Sequence, residues 1–361
     1  MSSDFGKNIR YTVFGQSHSE AIGIVIDGLP AGETVDPYEI RQFMTRRAPA
    51  GKAYATKRTE TDDFQIISGV LNDKTCGAPL CAIIMNQDVQ SKSYEEIKDL
   101  LRPSHADYTA HIKYNGFEDY RGGGHFSGRL TAPLCFAGGL SKYILEKRGI
   151  VVGAHILTLG NVQDKPFDPV HVSADDLKDP GRYPFPTYNV GVGETMQAQI
   201  GLIAKKNDSI GGIIEAGVVG LPSGLGDPMF DGMENLLAKH LFGIPAVKGV
   251  EFGDGFATAS LRGSENNDDF CLENGGIKTK TNHAGGILGG ITTGMPLILR
   301  VAVKPTPSIM QKQNTVNIAT EEETTITIEG RHDPCIVPRA VPVVESVIAM
   351  TILDLLTGAK G

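Results

Sequence analysis

Nine residues, Arg121-Gly122-Gly123-Gly124-His125-Phe126-Ser127-Gly128-Arg129, place two guanidinium groups and an imidazole around three consecutive glycines. Glycine lets a backbone approach a ligand closely and offer its N–H groups. Arginine presents a fork of donors that suits carboxylate or phosphate. A long apolar segment of helical character follows, and a helix N-terminus there adds partial positive charge. The segment reads as a receptor for something small, flat or phosphorylated, or as a tight turn with solvated arginines. Elsewhere, Gly15-Gln16-Ser17-His18-Ser19-Glu20 sets a histidine between two strand candidates. It is a proton donor near neutral pH or a capping residue. Arg102-Pro103-Ser104-His105-Ala106-Asp107-Tyr108 supplies a second loop histidine, near an acid. Six cations (Arg41, Arg46, Arg47, Lys52, Lys57, Arg58) fall in eighteen positions with no acidic residue between them. That run is a solvated basic face or, where Arg46 and Arg47 enter a Gly/Pro loop, a contact for a small polyanion.

Three further segments carry polar groups in loops. Asn282–Gly290 is a second glycine-rich loop, and Lys304-Pro305-Thr306-Pro307-Ser308 ends a strand with a cation and two hydroxyls. Arg331-His332-Asp333-Pro334 puts an acid beside a histidine. No GxGxxG follows a strand, and GxxxxGK[ST] and GxSxG are both missing from the sequence, so the common dinucleotide, P-loop and serine-hydrolase readings are weak. Many arginines, a few loop histidines, one acid and several glycine loops together suggest an enzyme acting on a small, multiply charged phosphate ester.

These loops need a scaffold. Strands are predicted at Ile9–Phe14, Ile22–Ile26, Phe64–Val70, Leu80–Met85, Val151–Leu157, Ile213–Val219, Val247–Phe252, Leu297–Val303 and Thr324–Ile328, all bounded by turn residues. Helices are predicted to begin at Asp36-Pro37, near Leu130, near Val192, at Asp231 and near Ala340. Strand and helix do not alternate regularly, which argues for an α+β fold with mostly antiparallel pairing. The order also repeats. Gly28-Leu29-Pro30-Ala31-Gly32 before Asp36-Pro37 matches Gly220-Leu221-Pro222-Ser223-Gly224 before Asp227-Pro228. Gly69, Thr75, Gly77 and Leu80 match Gly286, Thr292, Gly294 and Leu297 at a constant offset of 217. Arg121 and Arg129 match Arg331 and Arg339, both pairs eight apart before a helix. We read two related halves, roughly 1–150 and 190–361, joined by Asp164–Tyr188; convergent turn chemistry is the alternative. Related halves packed about an approximate two-fold would bring both arginine pairs to one ligand site.

At 361 residues the chain can bury a large core. A net charge of −8 argues against nucleic-acid or membrane partners. The five cysteines (Cys76, Cys81, Cys135, Cys271, Cys335) form no CxxC, so structural zinc is not expected and a reducing cytoplasm is. The N-terminus lacks the apolar core of a signal peptide. No segment was expected to supply the ~20 apolar residues that span a bilayer.

Gly15–His18, Arg46-Arg47, Arg102–Tyr108, Arg121–Gly124, Asn282–Gly286 and Arg331–Cys335, in this order, resemble the chorismate synthase family, from Phe5 to the last helix. The resemblance implies a β-α-β sandwich of mostly antiparallel sheets around central helices, with two pseudo-two-fold-related halves in one domain, 1–361. It implies an anti 1,4-elimination of phosphate from 5-enolpyruvylshikimate-3-phosphate, giving chorismate for aromatic amino-acid synthesis. Reduced FMN is required without net redox change, lending electron density to the breaking C–O bond. Arg46, Arg47, Arg121, Arg129 and Arg339 would then clamp the substrate's two carboxylates and phosphate. By the same resemblance His18 protonates the departing phosphate, His105 is a donor near flavin N1, and Asp333 relays the proton from N5. FMN contacts would fall on His125, Phe126, Ser127, Pro245, Ala246, Gly289, Lys304, Pro305, Thr306, Pro307, Ser308 and Arg331.

Two departures stand out. Some relatives have Arg-Ser-Ser where this chain has His125-Phe126-Ser127, so a permanent charge becomes titratable. Some have a cation at Ala53, in a region linked to nicotinamide contact; Arg47 remains there. NADPH is one source of electrons, as in the fungal type of the family, and a separate flavin reductase is another. The family is typically homotetrameric. The competing readings are a flavin-free phosphatase or phosphoryl-transfer enzyme using the arginines and His18, and an anion- or RNA-binding module on Arg41–Arg58 with strongly salt-dependent affinity.

Overall fold

Apolar residues alternate along β2 (Arg10–Gly15) and β3 (Ala21–Asp27), so Tyr11, Ile22, Ile24 and Ile26 share one buried face. A computed structural model of the chain describes residues 3–49, 61–87, 95, 97–273, 275–328, 330 and 332–359. In it, β1 (Asp4–Phe5), β2, β3, β7 (Leu80–Met85) and β4 (Phe64–Ser68) form one sheet in that spatial order, every pair antiparallel. A second antiparallel sheet runs β9 (Val162–Gln163), β8 (Val151–Leu159), β10 (Gly212–Val219), β16 (Leu297–Val303), β11 (Val247–Phe252). Short hairpins complete the strands: β5 (Val70–Leu71) with β6 (Lys74–Thr75), β12 (Phe270–Glu273) with β13 (Gly276–Thr279), β14 (Ile287–Leu288) with β15 (Ile291–Thr292), and β17 (Gln313–Asn317) with β18 (Glu322–Ile326). The fold is α+β, as expected.

Between the sheets lie two core helices, Thr131–Lys147 and Val337–Gly358. Their buried faces and the inner faces of both sheets form one hydrophobic core. The helices approach closely at Gly138, where a Cβ would collide with Ser346. The second core helix corrects one expectation: it is long and apolar enough to cross a membrane by length and composition. Its residues are apolar all round because protein surrounds it, and most of them are buried in the core.

Both sheets use the same succession of elements. In the first, β2, β3, the helix Pro37–Thr45, β4, the β5–β6 hairpin and β7 precede a core helix; in the second, β8, β10, the helix Met233–Leu241, β11, the β14–β15 hairpin and β16 do. Matched residues make matched bonds. Thr75 Oγ1 donates to Pro30 O at 2.6 Å and Thr292 Oγ1 to Pro222 O at 2.7 Å. Each hydroxyl also accepts a backbone N–H at 2.9 Å, from Glu33 and Leu225. The boundary differs from the one predicted. Strand β8 pairs with β10 along its length, so the second unit starts at Val151, and 160–211 interrupts it rather than linking two halves. Periodicity located the strand but could not say which sheet it joins.

Candidate active site

A cavity of about 570 Å³ opens where the N-terminal ends of both core helices meet. Its wall includes Thr131, just inside the first core helix, and Ile336, Arg339, Ala340 and Val343 at the start of the second. Of the sequence-predicted residues, Arg47, His105, His125, Phe126, Ser127, Arg129, Pro245, Ala246, Lys304, Thr306, Pro307, Ser308, Asp333 and Arg339 line it. Arg102, Lys248 and His332, not singled out as ligands, line it too. Among its described lining residues are six permanent or near-permanent cations (Arg47, Arg102, Arg129, Lys248, Lys304, Arg339) and one carboxylate, Asp333.

The arginines are held by a buried acid that the sequence reading missed. Asp62 pairs with both Arg47 Nη1 and Arg129 Nη1. Burial alone would raise its pKa, but the two guanidiniums outweigh burial and hold it below the usual carboxylate range. Arg47 also donates from Nε to Thr131 Oγ1 at 3.0 Å and from Nη2 to Gly128 O at 3.1 Å. Arg129 Nε donates to Asn86 Oδ1 at 3.0 Å. Across the cavity, Arg339 donates to Asp333 Oδ2 at 2.6 Å and to Arg47 O at 2.9 Å. Burial lowers the Arg339 pKa and Asp333 opposes that shift. Arg129 and Arg339, the second members of the two repeated pairs, therefore meet at one site.

The three glycines do something other than cradle an anion. A Cβ on Gly122 would lie 2.6 Å from His18 Nε2, and one on Gly123 would lie 3.0 Å from His105 Nε2. Both glycines have positive φ, 61° and 85°. They make room for two histidines, one carried by the β2–β3 turn and one by the Arg102–Asp107 loop. His18 itself does not line the cavity; it packs against Gly122, which does. His125 is tied back on both ring nitrogens, Nδ1 to Gly15 O at 2.8 Å and Nε2 to Ser3 Oγ at 2.8 Å. On the opposite wall, Lys304 Nζ donates to Ser104 O at 2.5 Å. Beside it Thr306 Oγ1 is buried with no hydrogen-bond partner among the described residues. A buried hydroxyl without a partner is costly, and it suits a ligand with hydrogen-bonding atoms.

Several predicted site residues lie elsewhere. Arg46 forks onto Glu345 at 2.9 and 2.6 Å, shared with Lys142, in a separate groove of about 780 Å³ along the core helices. Successive residues at a helix end point about 100° apart, so Arg46 and Arg47 cannot serve one ligand. Arg121 is paired with Asp119 at 2.8 and 2.9 Å and does not line the cavity. Gly289 sits at the exposed tip of the β14–β15 hairpin, and Pro305 is exposed at the end of β16; neither lines it. Asn282 is structural, donating to Pro169 O at 2.7 Å and Pro296 O at 2.8 Å. Arg331, Ala53, Lys52, Lys57 and Arg58 lie outside the described residues. The described part of the basic run is dispersed: Arg41 pairs with Asp63, Arg46 with Glu345 and Arg47 with Asp62.

Comparison with known proteins matches the chain to one family. A family profile described as chorismate synthase matches residues 9–357. The chorismate synthase of Thermococcus kodakarensis is 47% identical over 349 residues, covering 97% of this chain and 96% of the relative. That of Dehalococcoides mccartyi is 45% identical over 361 residues, covering 98% and 96%. A crystal structure of chorismate synthase superposes with a TM-score of 0.78 at 25% identity, covering 99% of this chain and 94% of that one.

Proposed function

The chain belongs to the chorismate synthase family, and from that premise we propose that the cavity at the helix ends is where it converts 5-enolpyruvylshikimate-3-phosphate to chorismate. The reaction is a lyase step of the shikimate pathway. The observation that carries the location is the charge of that cavity: its described lining residues include six cations and one acid, around a space that would receive a molecule with two carboxylates and a phosphate. Buried anions need such compensation. Arg47, Arg129 and Arg339 serve as the clamp, already oriented by Asp62, Thr131 and Asp333.

The wall at Lys304, Thr306 and Ser308 fits reduced FMN, because it offers a cation and an unpartnered buried hydroxyl. Ala246, Phe126 and Ser127 would complete the contact. When bound, the reduced flavin supplies electron density to the breaking C–O bond and recovers it, with no net redox change. His18, seated against Gly122, donates the proton that the departing phosphate takes up. His105 donates toward the flavin side of the cavity. Asp333, the carboxylate in the described wall and bonded by Arg339 at 2.6 Å, relays the proton that the elimination releases.

By family likeness we also propose a cytoplasmic homotetramer, with NADPH or a separate flavin reductase as the electron source. Anaerobic assay with photoreduced FMN tests the reading. Chorismate should form with the reduced cofactor and not with oxidised FMN. Adding NADPH to oxidised FMN separates an intrinsic reductase from dependence on another protein. Phosphate release that is indifferent to flavin would favour the phosphatase reading instead.

A further inference from the structure

A second cavity of about 530 Å³ adjoins the first, and His105 lines both, whereas Asp107 lines only the second. A ligand in the first cavity therefore meets the histidine but not the acid behind it. We propose that Asp107, itself clamped by Arg102, is a positioning residue that fixes His105 with Nδ1 protonated and leaves Nε2 as the nitrogen available to a ligand.

The hydrogen bonds require this tautomer. Asp107 Oδ1 lies 2.6 Å from His105 Nδ1 and 2.6 Å from Arg102 Nη2. An ionised carboxylate only accepts, so the imidazole nitrogen at that distance carries a proton. Arg102 Nη2 and His105 Nδ1 are also 3.1 Å apart. With Nδ1 protonated toward the carboxylate, the two nitrogens are donors sharing one oxygen. The other carboxylate oxygen takes Arg102 Nε at 2.8 Å and the Arg102 backbone N–H at 3.0 Å, which stops the carboxylate from rotating. Burial opposes ionisation of Asp107, but its bonds to His105 and Arg102 outweigh burial and keep it far below the usual carboxylate range. It therefore remains an acceptor across the working pH range. With Nδ1 occupied, Nε2 stands against Gly123, where only glycine leaves room. A carboxylate behind a histidine selects the tautomer in the same way in other enzymes.

The inference rests on reading His105 as the proton-transfer group of the first cavity: Nε2 accepts a proton in the Nδ1–H ring and donates it from the doubly protonated ring, with Nδ1–H held by Asp107 in both, so one arm of its test does not depend on activity. Side-chain nitrogen NMR of the free protein, with His105 assigned through His105→Gln, should show His105 as the Nδ1–H form. Asp107→Asn should lose that preference, because the amide is uncharged and no longer grips Arg102 through two oxygens. In anaerobic turnover Asp107→Asn should lower kcat about 10- to 100-fold, the range for losing such an outer partner, with KM within about twofold. Asp107→Glu should recover part of the rate. An Nε2–H form in the wild type, or an unchanged tautomer in Asp107→Asn, overturns the proposal. The wild-type spectrum decides alone if Asp107→Asn does not fold. A lost tautomer with full activity in His105→Ala would instead sink the donor role and leave the positioning intact.

Discussion

The first two strands of each repeated succession, β2 with β3 and β8 with β10, are joined very differently. In the first sheet the connection is Gln16–Glu20, a tight turn carrying His18; in the second it is the long stretch 160–211. The short turn places a histidine against Gly122, in the wall of the proposed active site. The long one folds over the outer face of its sheet, where Phe167, Val172 and Leu177 pack on Val151 and Ile298. Beneath that cover, one residue from each strand forms a polar row: His155, Glu215, Arg300 and Glu251 are register partners in turn. His155 Nε2 is 3.1 Å from Glu215, Arg300 Nε is 3.1 Å from Glu215, and the Phe167 N–H donates to Glu215 at 2.7 Å. The matching row of the first sheet is Phe14, Gly23, Ile83 and Gln65, without a charge. A repeated scaffold thus carries the proposed proton donor in the connection of one half and, in the other, a connection that covers a buried polar network.

The difference can be broken at both ends. His18→Ala should lower kcat by about 10²- to 10⁴-fold, the span of lost general acid catalysis, with FMN binding and thermal midpoint nearly unchanged. Glu215→Ala should do the reverse. It removes the buried acceptor of the Phe167 N–H and one partner each of His155 and Arg300, which keep Asp164 and Glu251, and should cost about 1 to 3 kcal/mol in urea unfolding, while kcat per folded molecule holds. Gly122→Ala sharpens the comparison, because its methyl group would displace His18 with no ionisable group altered. A shift of about 1 Å predicts roughly a 10²-fold loss of kcat, and a crystal structure of the variant would show the moved ring.

Smaller effects test the symmetric part. Arg129→Lys and Arg339→Lys should each lower kcat/KM about 10-fold, since lysine cannot fork; a loss from only one would show that the clamp is one-sided. The smallest effect concerns the helices beside the sheets. Pro37–Thr45 buries Ile40 and Met44, whereas Met233–Leu241 buries His240, whose pKa burial pushes down to about 4. Its folded pKa lies below the unfolded 6.5, so the unfolded chain binds the proton first. The stability due to neutral His240 is therefore full above pH 6.5 and falls as pH drops toward 4. His240→Met should flatten that part of the urea-midpoint profile.

Much of this scaffold was legible in the sequence. β-Branched runs located the sheet strands apart from the two-residue β1 and β9, and the glycine, threonine and proline matches identified the two corresponding corners because those residues make the bonds themselves. Cavity-lining residues were legible where a loop has one cavity to face, as at Lys304, Thr306, Pro307 and Ser308. They were misread where a tertiary partner decides. Arg46 and Arg47 are identical in type, but Glu345 and Asp62, far apart in sequence, send them to different places. Arg121 could have been discounted from Asp119, two residues earlier. Gly123 aligns with Asp333 in the repeat, and only the packing of His105 explains why the first half holds no acid there.

The first half is proposed to supply the proton-handling histidines of a cavity whose acid and most of whose cofactor contacts come from the second. Anaerobic chorismate formation by His105→Ala tests it most directly, with photoreduced FMN at a concentration that fluorescence titration shows to be saturating. The account predicts that the variant binds FMN and turns over at less than about one-hundredth of the wild-type rate. A wild-type rate at saturation would contradict it.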